Sequence, residues 1–224
     1  MPAGFRVARR ARAVSKALIE QFDGLPVANV SDVMSRMTAG GAPLRPRHAG
    51  GALAGPALTV KTRPGDNLMI HKAIDMAEPG DVIVVDAGGD VFQASIGELM
   101  LAHATRRGVA GFVINGAVRD AAAIRAQSVP VYAAGVTHRG PTREGPGEVN
   151  YPIAIAGMVI MPGDLILGDD DGVLAVPFDD VETVLAAARK KQAAEAKQMA
   201  ETLAGTLDRS HIDAALVRLG CEMP

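Results

Sequence analysis

The sequence predicts an α/β fold of alternating strands and helices in a chain of 224 residues. Three observations carry that expectation. Apolar runs of strand length recur at Asp81–Asp86, Gly111–Asn115 and Val129–Ala133. The segments between them follow helical spacing instead, as where Gly97, Met100, Leu101 and Ala104 recur at i, i+3, i+4 and i+7. Glycine, proline and aspartate stand at the joins, notably Pro79-Gly80 and Ala87-Gly88-Gly89-Asp90.

Taken in order, the elements begin with an acid-free stretch carrying Arg6, Arg9, Arg10, Arg12 and Lys16. Val7, Ala11, Val14 and Leu18 fall there at helical spacings. This predicts a helix packed on the body or on another subunit with its arginines solvated, although the pattern also imitates a transit peptide. A helix follows from Val30 to Met37, capped by Asn29 or Ser31, then a Gly/Pro-rich connection and the strand Ala57–Lys61. Asp66 or Asn67 caps the next helix, which ends at Met76 and leads through Pro79-Gly80 into Asp81–Asp86.

Ala87–Asp90 breaks that strand, and Gly97–Arg107 forms a helix. Next come the strand Gly111–Asn115, the helix Ala121–Gln127 and the strand Val129–Ala133. A polar loop, Thr137–Asn150, is long enough to border a site or an interface. Short strands near Ile153–Ala156, Leu165–Leu167 and Val173–Val176 precede a long helix, about Asp179–Ala204, and a short one, Ile212–Leu219. With no internal repeat and no dividing linker, residues 1–224 read as one domain with its core at about 25–177 and a helical extension at about 179–219.

The chemistry gathers at two turns. Gly97-Glu98-Leu99-Met100 would be the first turn of a helix, whose free N–H groups suit a carboxylate or an enolate oxygen. Arg119-Asp120 follows the buried strand Gly111–Asn115, and the carboxyl ends of such strands are where open α/β sheets usually place ligands. Asp120 could ligate a hard divalent cation, which often takes only one or two protein carboxylates, and Glu98 could hold one of its waters. Arg119 offers a planar fork for a carboxylate. An Arg-Asp pair at a helix start also suits an ordinary surface ion pair, and a first-turn Glu also suits the helix dipole. Spacing alone leaves both readings open.

Composition narrows the field. Hydrophobic residues make up 48% of the chain and aromatic residues only 3%, so the core is aliphatic and large aromatic platforms are unlikely. A formal charge of −2 gives no general attraction to nucleic acid. The single cysteine, Cys221, rules out an internal disulfide and a Cys-based zinc site, and no apolar run approaches a membrane span. The cytoplasm is the expected compartment. Asp169-Asp170-Asp171-Gly172 lacks the alternating ligands of a calcium loop and reads as a turn between strands. His71 sits mid-helix without a metal-spaced partner, Lys61 lacks a (β/α)₈ context for a Schiff base, and Gly88-Gly89 lacks the rest of a dinucleotide fingerprint.

From about Leu25 to Pro177 the chain resembles the RraA-like family, which includes the class II 4-hydroxy-4-methyl-2-oxoglutarate / 4-carboxy-4-hydroxy-2-oxoadipate aldolases. Ser31–Met34, Gly55–Val60, Asp66–Ile74, Pro79–Asp86, the Gly97 turn, Gly116–Asp120, Pro162–Asp164 and Gly168–Val173 carry the match in order. The resemblance implies a compact layered sandwich with a central mixed sheet of the swivelling-domain type, plus N- and C-terminal helices. Its acid, twenty residues, Arg-Asp motif falls on Glu98, Arg119 and Asp120. Catalytic roles are thereby implied for all three.

The implied site is specific. Asp120 would ligate Mg²⁺, or Mn²⁺, directly, and Glu98 through water. Arg119 would contact the pyruvate moiety and favour a nearby water as base, while the amides of Leu99 and Met100 would donate to pyruvate oxygens and Gly97 would allow close approach. The implied reaction is cleavage of a 4-hydroxy-2-oxo di- or tricarboxylic acid to pyruvate in aromatic compound catabolism, with oxaloacetate decarboxylation alongside. A homotrimer or homohexamer is implied, with no nucleic-acid or membrane partner. Two positions depart from the family: Glu98 lengthens the reach to the metal water, and Asn115 stands where many members carry Asp before the Gly.

The family also contains regulators that bind and inhibit a ribonuclease without this chemistry. The acid at position 98 and the helical extension favour the enzyme. A methyltransferase label has the least support, because no Gly-rich loop with a distal acidic strand end is present.

Overall fold

The structure, a computed structural model, describes residues 4–41 and 43–223. In chain order the elements are β1 (Phe5–Val7), α1 (Lys16–Ile19), α2 (Val27–Val33), β2 (Arg45–Pro46), β3 (Leu53–Thr62), α3 (Leu68–Met76), β4 (Val82–Ile96) and α4 (Glu98–Arg106). These are followed by β5 (Gly111–Val118), α5 (Ala121–Ala126), β6 (Val131–Val136), β7 (Gly147–Val149), β8 (Ile153–Ile155), β9 (Met158–Ile160), β10 (Leu165–Asp169), β11 (Gly172–Val176), α6 (Val181–Leu203) and α7 (Ser210–Arg218).

The predicted apolar runs form the centre of a mixed nine-stranded sheet, in the order β1-β7-β3-β4-β5-β6-β2, with β10 and β11 branching from β3. Strands β3 to β6 run parallel, while β7, β10 and β2 join antiparallel. Alternation along the strands fills two cores. Leu58, Val60, Ile83, Val85, Phe112 and Ile114 face α3, α4 and α5, with Ile70, Leu101 and Ile124 buried against them. Ala57, Val82, Val84, Val113 and Tyr132 face the other way and pack with Ile153, Met158 and Ile166. A continuous apolar run is what a parallel strand covered on both faces requires. A third cluster joins α2 and the first half of α6 to β10 and β11 through Val30, Leu167, Leu174 and Leu185.

Several sequence expectations are corrected. The N-terminal helix is absent over most of its predicted length: Phe5–Val7 pair in parallel with Gly147–Val149 instead, and a helix forms only at Lys16–Ile19, after Ser15 accepts from the Leu18 amide. The arginines decide this. Arg6 meets Glu148 at 2.6 Å, Arg10 meets Asp81 at 2.6 Å and Arg12 meets Asp179 at 2.8 Å, so the segment lies extended across acids of the body. α2 starts earlier than expected and neither Asn29 nor Ser31 caps it. The Val27 amide donates instead to Asp169 of β10 at 2.9 Å, and Asn29 reaches across to Glu195 of α6.

The expected break at Ala87–Asp90 is a bulge within β4. Gly88 and Gly89 take positive φ, 68° and 74°, so the extra residues loop out while Asp90 and Ala94 resume pairing with Gly116 and Ala117. The Asp169–Gly172 stretch is the strand-joining turn it was expected to be, with Asp169 accepting from the Asp171 amide. No helix of the described residues is long and apolar enough to cross a membrane.

Candidate active site

The site follows from the register of two parallel strands. Ile96, the last residue of β4, pairs with Val118, the last of β5. The residues that follow, Gly97-Glu98 and Arg119-Asp120, therefore lie side by side at the carboxyl edge of the sheet, and the Arg119 amide donates to the Ile96 carbonyl at 3.0 Å. Twenty intervening residues of helix and strand are folded away by that pairing.

Asp120 has φ 58° and ψ 41°, a left-handed conformation that Asp and Asn tolerate better than other residues with a Cβ. Its carboxylate makes no capping bond to its own helix, α5. It turns to α4 and accepts the Glu98 amide at Oδ2, 2.9 Å away. Arg119 lies beside it, with Nε 3.7 Å from the same oxygen. A side chain on Gly97 would collide with the Asp120 carboxylate and come within 2.9 Å of Arg119 Cγ, so this close packing needs glycine at 97. The amides of Leu99 and Met100 find no protein acceptor among the described residues and remain as donors at the start of α4.

These donors open onto a cavity of about 210 Å³ lined by Gly97, Leu99, Met100 and Arg119. Asp120 and Glu98 stand at its edge and do not line it. The Glu98 carboxylate makes no ion pair or hydrogen bond with the described residues. Leu99 is 83% exposed, whereas Met100 is buried and its Sδ accepts from Asn67 at 3.3 Å. The structure thus brings Gly97, Leu99, Met100 and Arg119 to one wall, ties Asp120 to the turn behind them and leaves Glu98 free.

The rest of the cavity lining was missed from sequence. It includes Asn67 just before α3, His71 and Asp75 on α3, His103 on α4, and Pro141 and Arg143 from the loop after β6. The spacing 67, 71, 75 along one face of α3 and its cap is the signal in the sequence, although His71 has no metal-spaced partner there. Buried Asn67 Oδ1 and His71 Nε2 have no hydrogen-bond partner. An orphaned buried polar atom is costly unless something fills the space beside it. Burial, and then the Arg143 guanidinium, hold the His71 imidazole below its usual range, so it is neutral at pH 7. The loop expected to border the site does so through Pro141 and Arg143, although Gly147–Val149 of it forms β7.

Asn115 is explained by its neighbour: its Nδ2 donates to Asp86 Oδ1 at 3.1 Å across β4 and β5. An aspartate there would set two carboxylates against each other. Its effect is on the bulge and not directly on Asp120.

The donor set suits a hard cation of low protein coordination. Among the described residues no group of three or more Asp, Glu, His or Cys side chains is placed to hold a metal ion. Mg²⁺ commonly keeps several waters and takes one or two carboxylates, which is what Asp120 and the uncommitted Glu98 offer.

A mixed sheet with α-helical crossovers and a cavity beside the ends of β4 and β5 defines a class of α/β protein. Residues 27–175 match the model of the RraA-like family, described as Aldolase/RraA, and the chain belongs to that family. Over 175 residues it is 42% identical to a Halalkalibacterium halodurans protein named provisionally as a 4-hydroxy-4-methyl-2-oxoglutarate aldolase, covering 78% of this chain and 83% of that one. Its fold is similar to that of an uncharacterized Pseudomonas syringae protein, with a TM-score of 0.78 and 24% identity over 87% of this chain and 96% of that one. It is also similar to the RNA-processing inhibitor RraA of Thermus thermophilus, with a TM-score of 0.63 and 30% identity over 68% and 92% of the two chains.

Proposed function

We propose that the protein is a divalent-metal-dependent aldolase that cleaves a 4-hydroxy-2-oxo di- or tricarboxylic acid, of the 4-hydroxy-4-methyl-2-oxoglutarate or 4-carboxy-4-hydroxy-2-oxoadipate type, to pyruvate and a second 2-oxo acid. The observation that carries the reading is the convergence of Arg119 with the unpaired amides of Leu99 and Met100 on one cavity wall. Three donors there suit a ligand that carries negative charge. The names of the curated relatives support an aldolase.

In the reaction the C3–C4 bond breaks, its electron pair passes into the pyruvate enolate, the 4-hydroxyl proton leaves as the new carbonyl forms, and a proton added at C3 completes pyruvate. Arg119 holds the pyruvate carboxylate, and the Leu99 and Met100 amides meet the charge that grows on the enolate side. His71, neutral and with Nε2 unpartnered, supplies a hydrogen-bond partner for the substrate hydroxyl. Asp120 would hold Mg²⁺ or Mn²⁺ directly and Glu98 through water. When bound, the ion supplies Lewis acidity toward the 2-oxo acid. Oxaloacetate decarboxylation passes through the same enolate and belongs to the reading, as does a cytoplasmic homotrimer or homohexamer. The outer half of α6 and all of α7 bury no residue against the described chain, which suits contact with another subunit.

The test is pyruvate release from 4-hydroxy-4-methyl-2-oxoglutarate and from oxaloacetate, with Mg²⁺ and with a chelator. Turnover lost on chelation and restored by Mg²⁺ is expected. Silence on every 2-oxo acid with metal present would favour the second reading, a ribonuclease-binding regulator, for which the likeness to RraA is the supporting observation.

Glu98→Gln separates the metal role from a helix role. It removes one charge from a side chain that makes no hydrogen bond or ion pair with the described residues. The metal concentration giving half-maximal activity is expected to rise about tenfold, a loss of affinity typical for a group acting on a metal through another ligand, with activity recovered in excess Mg²⁺. Superimposed metal titrations for the two proteins would remove Glu98 from the site and leave it as a residue that favours the start of α4.

A further inference from the structure

Part of the cavity lining is assembled from two elements that one buried carboxylate joins. Asp66 is 2% exposed and does not line the cavity. Its Oδ1 accepts the Leu68 amide at 2.9 Å, at the start of α3. Its Oδ2 accepts the Thr142 hydroxyl at 2.8 Å and the Glu144 amide at 2.7 Å, from the loop. Backbone bonds complete the seam: Thr142 N to the Gly65 carbonyl at 2.8 Å, and Asn67 N to the Thr142 carbonyl at 3.0 Å. Burial raises the carboxyl, but the bonds from Glu144, Leu68 and Thr142 outweigh it and hold the group below its usual range, so it is ionised when it makes them.

On either side of that seam stand groups that line the cavity. α3 brings Asn67 and His71, each with an unpartnered buried atom, and the loop brings Arg143. Among the described residues Arg119 and Arg143 are the arginines that line this cavity, one from the turn after β5 and one from the loop after β6. Two guanidinium groups lining one cavity match a ligand with two anionic groups.

We propose that Asp66 is a positioning residue for substrate specificity: by tying the Thr142–Glu144 loop to the first turn of α3, it holds Arg143 over the cavity as the cation for the second carboxylate of a 2-oxo diacid. The inference rests on the proposed function, because it takes Arg119 as the pyruvate-end contact. It adds which residue reads the far end of the substrate and which residue, touching neither substrate nor metal, sets that contact.

The experiment measures equilibrium binding of pyruvate and of 2-oxoglutarate, in the presence of Mg²⁺, to the wild type and to Asp66→Asn, Arg143→Ala and the double variant. A charge-assisted hydrogen bond contributes about 1.5–3 kcal/mol, so the wild type should bind 2-oxoglutarate at least about tenfold more tightly than pyruvate. Each single variant should erase most of that preference and leave pyruvate binding within about twofold, and the double variant should lose no more than either. Additive losses, or equal weakening of both ligands in Asp66→Asn, would overturn the positioning role, since a general loss of structure cannot spare one end of the ligand. Thr142→Val, which deletes only the hydroxyl donated to Asp66, gives the same reading if Asp66→Asn does not fold. A wild type that binds pyruvate without preferring 2-oxoglutarate overturns this inference alone. A wild type that binds neither overturns the proposed function, and this inference with it.

Discussion

Asp120→Asn is expected to lower kcat/KM for metal-dependent pyruvate release by about 10³ or more, because it removes the charge on the residue proposed to hold the cation, whose contribution is several kcal/mol of transition-state stabilisation. Asparagine is the informative substitution. It keeps an oxygen that can accept the Glu98 amide, now 2.9 Å from Asp120 Oδ2, and it tolerates the left-handed φ of 58°. Alanine would lose the acceptor and strain the backbone, costing roughly 1–2 kcal/mol of stability and mixing two effects. The melting temperature of Asp120→Asn should therefore stay close to that of the wild type while activity falls. A folded variant that retains near wild-type turnover at saturating Mg²⁺ would falsify the assignment of Asp120 as ligand.

Arg119→Lys should cost about 10² or more in kcat/KM, the size of effect seen when one preorganised donor to a developing oxyanion is removed. The ammonium keeps the charge but cannot make the planar two-pronged contact with a carboxylate. Little structure depends on the side chain. It is 41% exposed, its ion pair with Asp120 is long at 3.7 Å, and the bond that fixes the turn comes from its backbone amide to Ile96. An exposed pair of that kind contributes about 0–1 kcal/mol. The loss should appear in both KM and kcat, with pyruvate becoming a weaker product inhibitor. Unchanged kinetics with altered solubility would return Arg119 to the role of a surface ion-pair residue.

The two substitutions differ in what they spare. Asp120→Asn leaves the carboxylate grip of Arg119 in place, so pyruvate affinity should fall less than turnover. Arg119→Lys leaves the metal position in place, so the metal titration should hardly shift. The opposite pattern would exchange the two roles.

The sequence by itself determined the layers and one side of the site. Val82–Val85 and Phe112–Ile114 are apolar on both faces, and only a covered parallel strand makes use of that pattern. The Gly97 turn and Arg119-Asp120 were legible because helix starts and strand ends are local features, readable within a few residues. Tertiary structure decided everything that depended on a partner distant in sequence. The N-terminal arginines look like one face of a helix until Glu148, Asp81 and Asp179 are present to receive them. Asp169, far along the chain, caps α2, where the sequence offered Asn29 and Ser31 nearby. Ile96 and Val118 had to pair before Glu98 and Asp120 could meet, and Asp66 had to reach Thr142 and Glu144 before Arg143 could line one cavity with Arg119. Local propensity and hydrophobic period act over a few residues, whereas charge pairing and capping act through space, so only the folded chain reveals which residues those contacts bring together.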